Sequence, residues 1–209
     1  MSKPEKRNLL WWIIPGVLAG MPMPFIHPDR RLNSGAALHA YKDELPELYS
    51  EGVRSVVSLL NIPSDAPVFE SAGFAFLCLP MPDGRGPSMK QATQFVRFVH
   101  EHRTAQRPVA VHCQEGLGRT GTMLAVYLIE QGESAEAAIR RVREVEKAAI
   151  QTSHQIQFLE KFAQRFRHPS VHNSAANDLA FRNEIQRRVD AIDSGKVQGT
   201  EAQAGLKKM

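Results

Sequence analysis

Ten consecutive residues, His112-Cys113-Gln114-Glu115-Gly116-Leu117-Gly118-Arg119-Thr120-Gly121, carry the strongest chemical signal in the chain. A cysteine and an arginine bracket a glycine-containing turn, with five residues between them. Cys supplies a thiolate nucleophile, and Arg a planar, permanently charged fork that holds two oxygens of one phosphate. Gly116 and Gly118 let the backbone curl so that successive N–H groups point inward, the nest geometry that binds anions. A thiol in such a field is expected to ionise well below its free value of about 8.5. The pattern predicts in-line attack of sulfur on a bound phosphoryl group.

Such a loop works only if regular elements hold it. Pro108 to His112 reads as a short, fully buried strand, and Thr122 to Gln131 as a mostly apolar helix closed by Gly132. The loop then joins the C-terminal end of a strand to the N-terminal end of a helix, where unpaired N–H groups and the helix dipole favour an anion. Strands over 53–60, 74–79 and 109–112 alternate with helices over 88–104, 119–131, 134–147 and 153–167. That alternation predicts an α/β domain with a central, mainly parallel sheet flanked by helices. Ser88 is expected to cap the helix carrying Phe95, Val96 and Val99, and Ser134 the one carrying Ala138, Ile139, Val142 and Val145. On the last helix Ile156, Leu159, Phe162, Ala163 and Phe166 form one apolar stripe. Arg140, Arg141 and Arg143 alternate with Glu144 and Glu146 on a face read as solvated.

Cleaving a phosphate ester also needs a proton for the departing oxygen. The candidate donor is Asp83, thirty residues before Cys113 in Leu79-Pro80-Met81-Pro82-Asp83-Gly84-Arg85-Gly86-Pro87-Ser88. Its prolines and glycines make this segment a loop, and the strand before it would end at the same sheet edge as Val109 to His112. Asp65 is the next candidate.

From His112 to Gly121 the chain matches the signature His-Cys-x5-Arg-Ser/Thr-Gly and thereby resembles the cysteine-dependent protein tyrosine phosphatase superfamily. Trp12-Ile13-Ile14-Pro15-Gly16-Val17-Leu18-Ala19-Gly20 looks like the opening of its small atypical dual-specificity group, of the dual specificity phosphatase 23 type, and Val53 to Leu60 like that group's next strand. The resemblance spans roughly residues 9–167 and implies a protein tyrosine phosphatase-like fold. It implies that Cys113 is the nucleophile, that Arg119 and the loop from His112 through Gln114, Glu115, Gly116, Leu117 and Gly118 hold phosphate, and that His112 organises the loop. Asp83 would act as acid and then base, and Thr120 would stabilise the leaving thiolate. Within Ala149 to Ile156, Gln155 is the equivalent of a Gln near the hydrolytic water; the competing reading leaves Gln151 and Gln155 as occupants of a helix start. No metal or cofactor is called for, since Arg119 and the loop dipoles perform the charge neutralisation.

The substrate implied is a phosphorylated protein or peptide. No Tyr-bearing segment that would deepen the pocket stands before residue 50, which points to a shallow site taking phosphotyrosine and phosphoserine/threonine. Lipid-directed relatives place lysines where this chain has Gln114, Glu115 and Leu117, and RNA 5′-triphosphatase relatives tend to lack the acid. Phosphoinositide, an RNA 5′ end and a phosphate-reading binding module remain the alternatives.

Composition bounds the rest. The 209 residues suit one catalytic domain, 1–168, followed by a polar extension, 169–209, helical over Asp178 to Ile192 and otherwise disordered. Two cysteines, Cys78 and Cys113, argue for a reducing, cytoplasmic setting rather than a disulfide framework. Cys78 reads as a small buried hydrophobe, with redox pairing to Cys113 as the alternative. The net charge of +4 suits an anionic substrate and is no nucleic-acid footprint. Lys3, Lys6 and Arg7 before Leu9 to Gly20 imitate a secretory signal, but Pro15-Gly16 interrupts the run. At about 12 residues the run is short of the roughly 20 that span a membrane. Nothing in the chain indicates an oligomeric state.

Overall fold

A computed structural model describes residues 9–24, 44–62 and 65–166. Five strands, β1 (Trp11–Ile14), β2 (Leu18–Met21), β3 (Ser55–Ser58), β4 (Ala75–Cys78) and β5 (Val109–His112), form one sheet in the order β1-β2-β5-β3-β4. The helices are α1 (44–50), α2 (Asp65–Ser71), α3 (Met89–Thr104), α4 (Gly118–Glu130), α5 (Ala135–Val145) and α6 (Ser153–Phe166). β1 and β2 pair antiparallel, and the remaining pairs are parallel. The apolar run that imitates a secretory signal is this β1–β2 hairpin, closed by Val17 N–H donating to Ile14 O at 3.0 Å.

The registers fix where chemistry can occur. Met21 and Ser58 both pair with His112, and Ser58 pairs with Cys78. These strands therefore end together, and the segments that follow them leave along one edge of the sheet. The C-terminal edge of a parallel sheet is where ligands bind in open α/β folds.

Both faces of the sheet are covered, as parallel strands require. Leu18, Val57, Val109 and Val111 enter one core with α3, α4, α5 and α6, while Ala19, Val56 and Ala110 enter the other with Leu45 and Leu48 of α1 and Phe69 of α2. Every residue of α4 is buried. A helix apolar on all sides belongs in the interior, and α4 lies between the sheet and α3, α5 and α6. Its first turn, which carries Arg119 and Thr120, is thereby held from every direction.

Several expectations change. The strands read over 53–60 and 74–79 are shorter, and the helices read over 134–147 and 119–131 become α5 and α4. Val145 ends α5 at 44% exposure, because the helix runs past the core there. Ser134 accepts from Ala137 N–H, and Ser88 closes a capping box with Gln91. Cys78 is half-buried rather than fully buried, and its Sγ donates to Leu60 O at 3.3 Å. Burial raises its pKa, with the Asp65 charge adding to that. Ser58 lies between Cys78 and His112 in register, so two strand spacings, about 9.6 Å, separate those backbones. A disulfide needs Cα atoms within about 7 Å, and in this structure both cysteines are free thiols. Among the described residues no helix is long and apolar enough to cross a membrane. Residues 169–209 and the side chain of Phe166 lie outside the described residues.

Candidate active site

Cys113 follows the last residue of β5 and is 3% exposed. The loop after it is pinned to the neighbouring strand end: Met23 N–H donates to Gln114 O at 3.1 Å. Gly116 has φ +74°, and a Cβ there would lie 2.4 Å from Met21 C and Pro22 N. Only glycine satisfies both the left-handed backbone and that contact. Leu117 is the N-cap of α4 and gives no side-chain cap bond, so the first-turn N–H groups are left for an anion. Arg119 is 7% exposed. Its Nε and the Oγ1 of Thr120 are buried with no hydrogen-bond partner among the described residues. Glu115 is exposed, whereas Gln114 and Leu117 are half-buried.

His112 is fully buried, and its Nδ1–H donates to Cys113 O at 3.2 Å. Burial lowers its pKa to about 4; the bond to Cys113 O opposes that shift and the Arg119 charge adds to it. The unfolded chain therefore takes a proton near 6.5 that the native state refuses until about pH 4. The stabilisation is complete above pH 6.5 and is lost as pH falls through that window, by about 3 kcal/mol at its lower end. Urea midpoints measured from pH 7 to pH 4.5 should fall more steeply for the wild type than for His112→Asn. Parallel slopes would remove His112 as the source.

The loop after β4 reaches over this cradle. Met81 N–H donates to Leu59 O, and Arg85 N–H to Pro82 O closes a turn with Asp83 at its tip. Arg119 Nη2 meets Asp83 Oδ1 at 3.1 Å, and Arg119 Nη1 donates to Met81 O at 3.1 Å. The Asp83 side chain is 89% exposed, so the pair adds little stability; it records where the carboxyl group stands. Asp65, the other candidate acid, is buried in the first turn of α2.

A third segment closes the far side. Ile150 has φ +58°, a strained conformation for a β-branched residue. Arg143 holds it, with Nε donating to Ala149 O at 3.1 Å and Nη2 to Ile150 O at 2.6 Å. Arg143 is thus a clamp and not part of a solvated face. Beyond it, Thr152-Ser153-His154-Gln155 forms a capping box for α6: Gln155 N–H donates to Thr152 Oγ1, and Gln155 Oε1 accepts from Thr152 N–H. Gln155 Oε1 also accepts from Gln151 N–H at 2.8 Å. With its oxygen so engaged, the buried Gln155 amide lies beside the phosphate loop: a Cβ at Gly118 would stand 3.0 Å from Gln155 Nε2. Gln155 therefore serves the helix start with its oxygen and lies beside Gly118 with its nitrogen.

The fold brings Cys113, Arg119, Thr120, Asp83 and Gln155 to one edge of the sheet. Sequence reasoning gave Met81 and Thr152 no role and read Arg143 as part of a solvated face; Met81 O meets Arg119 and Thr152 meets Gly84 O, partners distant in sequence, while Arg143 reaches carbonyls six and seven residues on. The Thr-x-x-Gln capping box was the one available sign for Thr152.

Comparison with known proteins follows the same lines. The family described as "Polymorphic toxin system, DSP-PTPase phosphatase" matches residues 33–133. Dual specificity protein phosphatase CDC14AB of Danio rerio is 38% identical over 128 residues, 60% of this chain and 20% of that protein. The chain thus spans about a fifth of the length of such relatives. Protein tyrosine phosphatase type IVA 3 of Homo sapiens is 31% identical over 137 residues, 62% of this chain and 78% of that protein. The solved structure of Tk-PTP in the active form superposes with a TM-score of 0.64 and 26% identity, covering 77% of this chain and 99% of the other.

Proposed function

This chain belongs to the cysteine-based protein tyrosine and dual-specificity phosphatase superfamily, and from that premise we propose that it hydrolyses phosphotyrosine and phosphoserine/threonine in proteins through a phosphocysteine intermediate. The observation that carries the reading is the 3.1 Å contact between Arg119 and Asp83 above a loop that begins at Cys113. It supports the reading because the Asp83 carboxyl group, the proton donor in this mechanism, lies beside the guanidinium that would hold the phosphate.

The steps follow from the residues. Arg119 and the N–H groups of the loop bind the non-bridging oxygens, and the Cys113 thiolate forms the S–P bond as the ester P–O bond breaks. The departing oxygen keeps that electron pair and takes the proton of Asp83. Water then loses a proton to the Asp83 carboxylate and attacks phosphorus. The S–P electrons return to sulfur, and phosphate leaves. In this reading Gln155, whose Nε2 lies beside Gly118, holds that water, and Thr120 Oγ1–H, which has no other partner among the described residues, is the donor to the returning thiolate.

Protein phosphoesters are favoured over polyphosphorylated rings by Glu115, an exposed carboxylate in the loop itself. Like charges at the mouth of the site oppose a ligand carrying several phosphates. A phosphate-release panel tests this. Phosphotyrosine and phosphothreonine peptides should turn over, with phosphoinositides and triphosphorylated RNA at least about tenfold slower in kcat/KM. Preferred release from lipid or RNA would overturn the substrate class, and peptide binding without release from any substrate would favour a phosphate-reading module.

A further inference from the structure

We infer that Thr152 is a positioning residue whose hydroxyl latches the acid loop shut over the phosphate cradle. The inference rests on the reading of Asp83 as general acid and names what holds it in place.

The need for a latch comes from Arg119. Without substrate, Arg119 holds the loop through Asp83 and through Met81 O. Bound phosphate draws on the same guanidinium, so that hold weakens when the acid has to be in position. Something that does not compete with phosphate has to keep the loop down. Thr152 Oγ1–H donates to Gly84 O at 2.7 Å, one residue beyond the acid and 68 positions away in sequence. Its oxygen is already fixed from behind by Gln155 N–H at 3.3 Å. A hydroxyl has one proton and two lone pairs, and here the proton is directed at the acid loop. Gly86 reinforces the contact, lying so close to Phe158 of α6 that a Cβ would come within 2.6 Å of the Phe158 Cβ. At its start the same loop is held by Gln91 Nε2, which donates to Pro80 O at 2.6 Å. Gln91 belongs to the capping box of α3, Thr152 to that of α6. Two helix starts thus use a remaining donor to hold the loop on either side of Asp83, at Pro80 and at Gly84.

A residue that positions the acid should matter most where the leaving group needs the proton. The measurement is kcat/KM for phenyl phosphate divided by kcat/KM for p-nitrophenyl phosphate, whose leaving oxygen needs less protonation. Thr152→Val keeps the shape and removes the hydroxyl; it should lower the ratio about fivefold to tenfold, the effect of one hydrogen bond. Thr152→Ser keeps the hydroxyl and should restore the ratio to within about twofold, which also answers any loss of folding in the valine variant. Asp83→Asn should lower the ratio by itself, and adding Thr152→Val to it should change nothing further, because the two act as one unit. A lowered ratio in Asp83→Asn with an unchanged ratio in Thr152→Val overturns the latch and leaves the acid standing. A further drop in the double variant also overturns it, since Thr152 would then act through another group. An unchanged ratio in Asp83→Asn overturns the acid, and the latch with it.

Discussion

Cys113→Ser is expected to lower turnover of an aryl phosphate by about four orders of magnitude or more while leaving phosphate binding intact. The hydroxyl is neutral at working pH and is a far weaker nucleophile than a thiolate. Binding survives because the oxygen-holding groups are elsewhere: Arg119 Nε, buried with no partner among the described residues, and the uncapped first turn of α4. Removing an anionic sulfur from beneath a phosphate dianion also relieves like-charge repulsion, so affinity should hold or improve. Two measurements decide it. Acid-quenched wild type exposed to labelled substrate should carry phosphorus on Cys113, and the variant none. Calorimetry should give the variant a Kd for phosphotyrosine peptide no weaker than about tenfold above that of Asp83→Asn, which keeps Cys113 and Arg119 in place. Residual turnover above about 1% of wild type would remove Cys113 as nucleophile.

What could be read from the chain divides along a physical line. The cradle was legible because its chemistry is local: ten adjacent residues supply nucleophile, nest and fork, and the flanking runs announce strand and helix. The sheet was legible for a related reason, since Val109 and Val111 put β-branched side chains on one face and Ala110 an apolar one on the other, as a central parallel strand requires. The layer that covers the other face was not. α2 is short, carries Pro67 in its first turn, and buries only Asp65 and Phe69, so no helical period could announce it. The error at Arg143 is of another kind. Charges alternating on an amphipathic helix describe a solvated surface in most chains, but here the arginine holds Ile150 in a left-handed turn that no residue type at position 150 would suggest. Val145 continued the apolar period of α5 although the core had already ended. Contacts between distant backbone carbonyls and single side chains, such as Thr152 with Gly84, leave no mark in composition or spacing.

Arg119→Lys tests the part of the cradle on which the other functional groups converge. A cation remains, so a purely electrostatic account predicts a small effect. The geometry predicts a large one. The guanidinium donates to Met81 O and meets Asp83 at 3.1 Å each, while Nε is buried and unpartnered among the described residues. One rigid plane thus serves the acid loop along one edge and offers donors to phosphate along another. A lysine ammonium has three donors on one nitrogen and cannot present two parallel N–H bonds to a phosphate while also holding a carbonyl and a carboxylate. The expected result is a loss of about 10³-fold in kcat/KM, of the order seen when a transition-state arginine is removed from phosphoryl transfer. It should differ from Cys113→Ser in kind, because affinity for inorganic phosphate falls as well. Stability should change little, because the ion pair involves an aspartate that is 89% exposed and such pairs contribute at most about 1 kcal/mol. If Arg119→Lys kept kcat/KM within about tenfold of wild type, charge alone would hold the phosphate, and the fork would not be what couples the acid loop to the cradle.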